Sequence, residues 1–234
     1  MALTTAAGTF AVRIGDDVVF LDVATDAYSC VLSEVDAGSG SGRFESLTAD
    51  QIAGLLAEGV LTDAVAVAEQ PYPAVPGASD PRRWRDLPEP AGRRPLRIGD
   101  WLAFGRAHRS TARLLRGDSL APALAAATRL AGAPSRERGM RGDTSISTIK
   151  IACAVARFDE MAIWLPRRRE CLAHALALMH FLWLSGIATE WVFGVHLYPF
   201  RAHCWLASGE HIVGDASHRV LAFATIMTVP AGRA

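Results

Sequence analysis

The stretch Glu170-Cys171-Leu172-Ala173-His174-Ala175-Leu176-Ala177-Leu178 decides how the 234-residue chain is read. From Leu172 to Leu184 it is apolar nearly all round, the pattern of a helix buried at the centre of a domain. Ser185-Gly186 ends it. Cys171 falls at or next to its first residue, where unpaired N–H groups and the helix dipole favour a thiolate. A free cysteine is usually a small buried hydrophobe, and position alone separates Cys171 from Cys30, Cys153 and Cys204.

The residues after this helix read as strands. Ile187 to Leu197 alternates between two faces, Ala202 to Ala207 is extended, Ser208-Gly209-Glu210 turns, and His211 to Asp215 returns. If the hairpin is symmetric about Gly209, His203 lies directly opposite Asp215, with Cβ atoms about 5 Å apart. A carboxylate there fixes the imidazole tautomer so that the other ring nitrogen meets a thiol. Cys171 is then the nucleophile, His203 the base and Asp215 its orienting group. Cys204 should point to the opposite strand face, into core. His196, His203, Cys204, His211 and His218 lack the spacing of a metal knuckle, so no metal is expected. Arg167-Arg168-Arg169 is a solvated turn or a positive field beside the thiol.

Half the residues are hydrophobic and 21% are charged, enough for a packed core. A net charge of zero hides an asymmetry: residues 1–80 carry −10 and residues 81–234 carry +10. Two modules that dock on one another account for this. No basic helix with interleaved aromatics suggests nucleic acid as a partner. The four cysteines form no CxxC pair, so neither a disulfide framework nor a zinc ribbon is indicated. No secretion signal opens the chain, and the helix after Cys171 is too short to span a bilayer. These features lead to the expectation of a cytoplasmic protein without a membrane partner.

Residues 1–80 read as a small three-stranded sheet followed by helices. Phe10–Ile14, Val18–Val23 and Ala27–Leu32 are its strands, and Val60–Val67 a possible wing. A Gly/Ser-rich loop spans 38–42. Thr48 caps a helix whose stripe is Ile52, Leu55 and Leu56, ended by Gly59. Such a module can recruit an extended peptide on a free strand edge or serve as a structural cap. A Pro- and Arg-rich linker over 81–96 leads into a domain over 97–234. There, Asp100 is expected to cap a helix to about Arg116, Ser119 starts a second, and a polar loop follows over 132–142. A third carries Ile146, Ile149, Cys153 and Ala156 on its stripe.

Taken together, Cys171-Leu172 with Leu176 and Leu178, Gly186-Ile187 with Val192 and Gly194-Val195, Pro199-Phe200 with Ala202-His203-Trp205, and Val213 with Asp215 resemble a known family. It is the transglutaminase-like leader peptidase of lasso-peptide biosynthesis, in the form fused to a leader-recognition domain. The resemblance implies an α+β fold, with a winged-helix-like recognition domain ahead of a transglutaminase-like cysteine peptidase. It implies a precursor peptide as substrate, cut at the leader–core junction, and an asparagine-synthetase-like cyclase as partner. The leader would add beside Ala27, Tyr28, Ser29, Cys30 and Val31 and pack on Ile52, Leu55 and Leu56. No bound cofactor is legible, but ATP dependence is implied. The sequence has no Walker motif and a single lysine, Lys150. Cys204 stands where a small residue is usual, and Gly214 where a polar one is. Two other functions keep the same parts: a Cys-His-Asp acyltransferase, and a leader-binding scaffold in which Cys171 is inert.

Overall fold

Helix α5 (Cys171–Leu184) runs through the centre, buried without a break from Ala175 to Leu182. A computed structural model describes residues 3–33, 44–63, 75–76, 84–90, 92, 95–117, 119–132, 144–165 and 170–231. The Gly/Ser-rich loop, the Arg167–Arg169 run, residues 133–143 and most of the Pro-rich stretch lie outside them. Before α5 come β1 (Leu3–Thr5), β2 (Thr9–Ile14), β3 (Asp17–Asp22), β4 (Ala27–Val31), α1 (Ala49–Ala57), β5 (Leu61–Asp63) and β6 (Val75–Pro76). Three more helices follow: α2 (Ile98–Leu114), α3 (Ala121–Gly132) and α4 (Thr144–Ala162). After α5 come β7 (Glu190–His196), β8 (Arg201–Ser208), β9 (His211–Val213), α6 (Ser217–Val220) and β10 (Ala224–Val229). Helices and antiparallel sheets occupy separate layers, an α+β fold.

Strands β2, β3 and β4 form an antiparallel sheet in that order, with β4 at an edge. Alternation along each strand sorts its side chains onto two faces. One face carries Ala11, Val18 and Phe20 and is covered by α1 through Leu55, with Leu47 and Leu61 beside it. The other carries Phe10, Val12, Val19 and Leu21, which enter the same core as α5. The docking of the two halves is therefore largely apolar. It is supplemented by Leu120 N–H donating to the Val23 carbonyl at 3.2 Å and by the Tyr198 hydroxyl donating to Asp17.

Thr48 caps α1, with a reciprocal bond from its own N–H to Gln51 at 2.9 Å. Where the sequence suggests several helices after the sheet, the described residues before 80 contain only α1. Within the stretch read as a strand over Val60–Val67, β5 covers Leu61–Asp63 and pairs with β1.

In the C-terminal half the strand order is β6-β10-β7-β8-β9, all antiparallel. One face, with Trp191, Phe193, Val195, Cys204 and Leu206, packs against α5. The other, with Val192, Trp205 and Ile212, is covered by Trp84, Val220 and Phe223. The stretch read as a linker thus contributes the indole of Trp84 against that of Trp205 at 5.8 Å, and the two-residue strand β6 precedes it.

Two helix details differ from the sequence reading. Asp100 is not the N-cap of α2: the cap is Arg97, and Asp100 accepts its backbone N–H from inside the first turn at 2.8 Å. On α4 the inward stripe is Ile151, Ala154, Phe158 and Met161, while Ile149 is 43% exposed and Cys153 half-buried. An Ala- and Ser-rich helix offers two comparable stripes, and contact with Phe104 and Phe181 selects the one bearing Phe158.

Candidate active site

Cys171 is the first residue of α5, and Glu170 before it makes no side-chain cap. The first-turn N–H groups are thus left to act on whatever lies at that end. The Cys171 sulfur accepts hydrogen bonds from the Cys204 thiol, the His203 imidazole and the Cys204 backbone N–H. Together these outweigh burial and pull the thiol down to about 4, the Cys204 thiol contributing most.

His203 Nε2 lies 2.6 Å from Asp215 Oδ2. That leaves Nδ1 for the sulfur. The carboxylate, followed by Cys171, raises His203 to about 9. For Asp215 burial alone would raise the pKa. The bonds from His203 and from the Ala216 N–H, together with the charges of His203 and Arg219, overcome it and lower the group. Between those two values the ground state is a thiolate–imidazolium pair, as a thiol nucleophile requires.

The route by which His203 meets Asp215 is not the one the sequence suggests. The hairpin closes on a two-residue turn, Gly209-Glu210, so Ser208 pairs with His211 and Leu206 with Val213. This register is one residue off symmetry about Gly209. Extended further, it would set Asp215 opposite Cys204 rather than His203. The ladder instead stops at Val213. Gly214 takes φ 76° and diverts the chain, so Asp215 swings to the His203 side. Gly214 also sits tight on the central helix: a Cβ there would meet Leu178 Cδ2 at 2.2 Å. The early end of β9 leaves β8 without a second strand from Arg201 to Trp205.

Aromatic rings hold the imidazole, Trp205 at 6.0 Å and Phe223 at 5.4 Å between centroids. A cavity of about 110 Å³ opens between Cys171, His174, His203, Cys204 and Asp215. A groove of about 410 Å³ shares Gly214, Asp215 and Arg219 with it and runs on past Asp86, Glu89 and Asp159.

Cys204 was placed by its alternation in the core, and it is 4% exposed. What alternation along one strand does not reveal is that the face it points to carries the start of α5. Its thiol therefore rests on Cys171. Two further neighbours come from the N-terminal sheet. Asp26, at φ 52°, is raised first by burial and then by Cys171. Tyr28 pairs with Leu21, shares its face and is raised by burial, then by Asp26, Cys204 and Cys171. Its ring also lies 5.6 Å from that of Phe200.

The residues expected to meet a leader peptide divide into three sets. Ala27, Ser29 and Cys30 are exposed on β4, an edge strand among the described residues, and Val31 is half-buried there. Tyr28 turns toward the thiol. Ile52 and Leu56 are half-buried on α1, whereas Leu55 is 7% exposed and fills the space between α1 and the sheet. Among the histidines set aside, His180 is buried, His174 meets Phe158 edge-on with centroids 5.6 Å apart, and His218 is exposed. Among the described residues no cluster of three His, Cys, Asp or Glu could hold a metal ion, and no helix is long and apolar enough to cross a membrane.

A thiolate at a helix start, an imidazolium on an antiparallel strand and a carboxylate just past the end of the neighbouring strand have the make-up of a thiol acyl-transfer site. Residues 102–228, more than half of the chain, match the Transglutaminase-like superfamily, and the chain belongs to that family. The superfamily includes both cysteine peptidases and transglutaminases, and the domain is compatible with either activity. Comparison with curated proteins and with solved structures gave no match.

Proposed function

We propose that this chain is a cysteine endopeptidase that binds the leader of a ribosomally made lasso-peptide precursor and hydrolyses the leader–core junction. The released core amine would then be closed into a macrolactam by an asparagine-synthetase-like cyclase. The observation that carries this reading is the Cys171–His203–Asp215 contact set, lying beside Tyr28 on β4, an edge strand among the described residues. A peptide added to β4 would pass close to the sulfur, so binding and cleavage could share one chain of substrate.

In this mechanism Cys171 Sγ attacks the scissile carbonyl carbon, and the oxyanion is met by the Cys171 backbone N–H at the helix start. His203 gives its proton to the departing core amine, leaving a thioester on Cys171. Neutral His203 then takes a proton from water, and the hydroxide formed releases the leader as a carboxylate. Asp215 keeps the ring oriented and supports its positive charge. We assign the implied ATP requirement to the cyclase. No Walker pattern occurs in the sequence, and Lys150, its one lysine, does not line the cavity.

Mass spectrometry of wild type and Cys171→Ala incubated with precursor, cyclase and ATP tests the reading. A leader fragment ending in a free carboxylate, formed by wild type alone, is the expected result. A leader joined to an added amine would identify an acyltransferase. Leader binding without cleavage by wild type would leave only a scaffold.

A further inference from the structure

The hydrolytic cycle makes no chemical use of the Cys204 thiol, yet this side chain lines the same cavity as Cys171. It follows the base on β8, points to the α5 side of the sheet, and is 4% exposed. The two residues line one cavity, with the Cys204 S–H directed to the Cys171 sulfur as a hydrogen-bond donor. The other thiols belong to different elements, Cys30 on β4 and Cys153 on α4. We propose that Cys171 and Cys204 form a reversible disulfide, in which a hydroperoxide oxidises Cys171 and Cys204 resolves the product.

Burial and charge set the order of events. Cys171 is half-buried and held as a thiolate, which selects it for attack on an oxidant entering the cavity. Cys204 is covered, and the thiolate beside it keeps its proton in place. The Cys171 sulfur attacks one peroxide oxygen and the O–O bond breaks. Cys171 becomes a sulfenic acid, and the leaving oxygen takes a proton from His203 and departs as water or an alcohol. Oxidation also removes the negative charge that held the Cys204 proton. The Cys204 sulfur then displaces the hydroxyl of the sulfenic acid, which takes the Cys204 proton as it leaves. One water leaves as the S–S bond forms. The consequence is a pause rather than a loss: the nucleophile is blocked but protected from the irreversible acids.

This inference needs a reactive Cys171 but not the leader-peptidase reading, and its test does not use cleavage. Wild type, Cys204→Ala and Cys204→Ser, all full length, are treated with one equivalent of hydrogen peroxide and digested without reductant. In wild type the expected product is a Cys171–Cys204 linked peptide, with full recovery of Cys171 alkylation after dithiothreitol. In both variants dimedone should trap the sulfenic acid on Cys171, and recovery should be lost as oxidation proceeds. Equal dimedone labelling of wild type and variants, with no linked peptide, would overturn the proposal. So would a link from Cys171 to Cys30 or Cys153. If neither variant folds, the wild-type peptide map alone decides.

Discussion

Alanine at position 214 should separate two costs that glycine removes together. The first is conformational: at φ 76° a Cβ crowds the following carbonyl, which costs about 1–2 kcal/mol. The second is steric. The new carbon would lie 2.2 Å from Leu178 Cδ2, and Leu178 is 1% exposed within the central helix, so it has little freedom to yield. Overpacking of that kind costs about 1–3 kcal/mol, for a total of about 2–5 kcal/mol. Gly209→Ala is the control. Its φ is 61°, but nothing lies within 4 Å of an added Cβ, so only the first cost of about 1–2 kcal/mol applies. The excess at position 214 should also be visible in the chemistry. Relief of the clash moves the segment carrying Asp215, lengthening its 2.6 Å contact with His203 and weakening the thiolate. Urea denaturation of both variants, with the pH dependence of Cys171 alkylation by iodoacetamide, measures each effect. Equal destabilisation of the two variants with identical alkylation profiles would refute the argument.

Three further outcomes follow from the site and the core. In wild type the alkylation rate should rise as pH passes about 4 and change again as His203 loses its proton near 9. Asp215→Asn removes the negative charge that raises His203, so the imidazolium is lost at lower pH and the Cys171 thiol titrates higher. Alkylation at pH 5 should then slow, and an unchanged acid limb would count against the assigned roles. Leu21→Ala empties a fully buried position in the core shared with α5 and should cost about 2–5 kcal/mol while the single unfolding transition is kept. Two resolved transitions would show that the N-terminal sheet unfolds independently.

Local pattern carried much of this architecture. The all-round apolarity of 172–184 located the central helix and put Cys171 at its start, and Thr48 marked the beginning of α1. Alternation placed His203 and Cys204 on opposite faces of β8. Less was legible wherever an answer depended on a second element. A one-residue difference in turn length altered the hairpin register, and the His203–Asp215 contact survived because Gly214 bends the chain. That bend is a backbone angle with no side chain to announce it. Likewise, Cys204 looks like ordinary core until the start of α5 is set against it, and Tyr28 looks like a sheet residue until the sheet is docked. The choice of stripe on α4 rested on Phe158, an aromatic that finds partners on α2 and α5.

The shared core has a consequence for anyone who divides this chain. Cutting it between α1 and α2 would produce two fragments with matching wounds: Phe10, Val12, Val19 and Leu21 on one, and the apolar flank of the central helix layer on the other. Neither surface belongs in water, and an uncovered patch of that kind drives association with whatever is at hand. Fragments made separately should be sticky and poorly behaved. Made together in one cell, they should find each other and reassemble without a covalent connection.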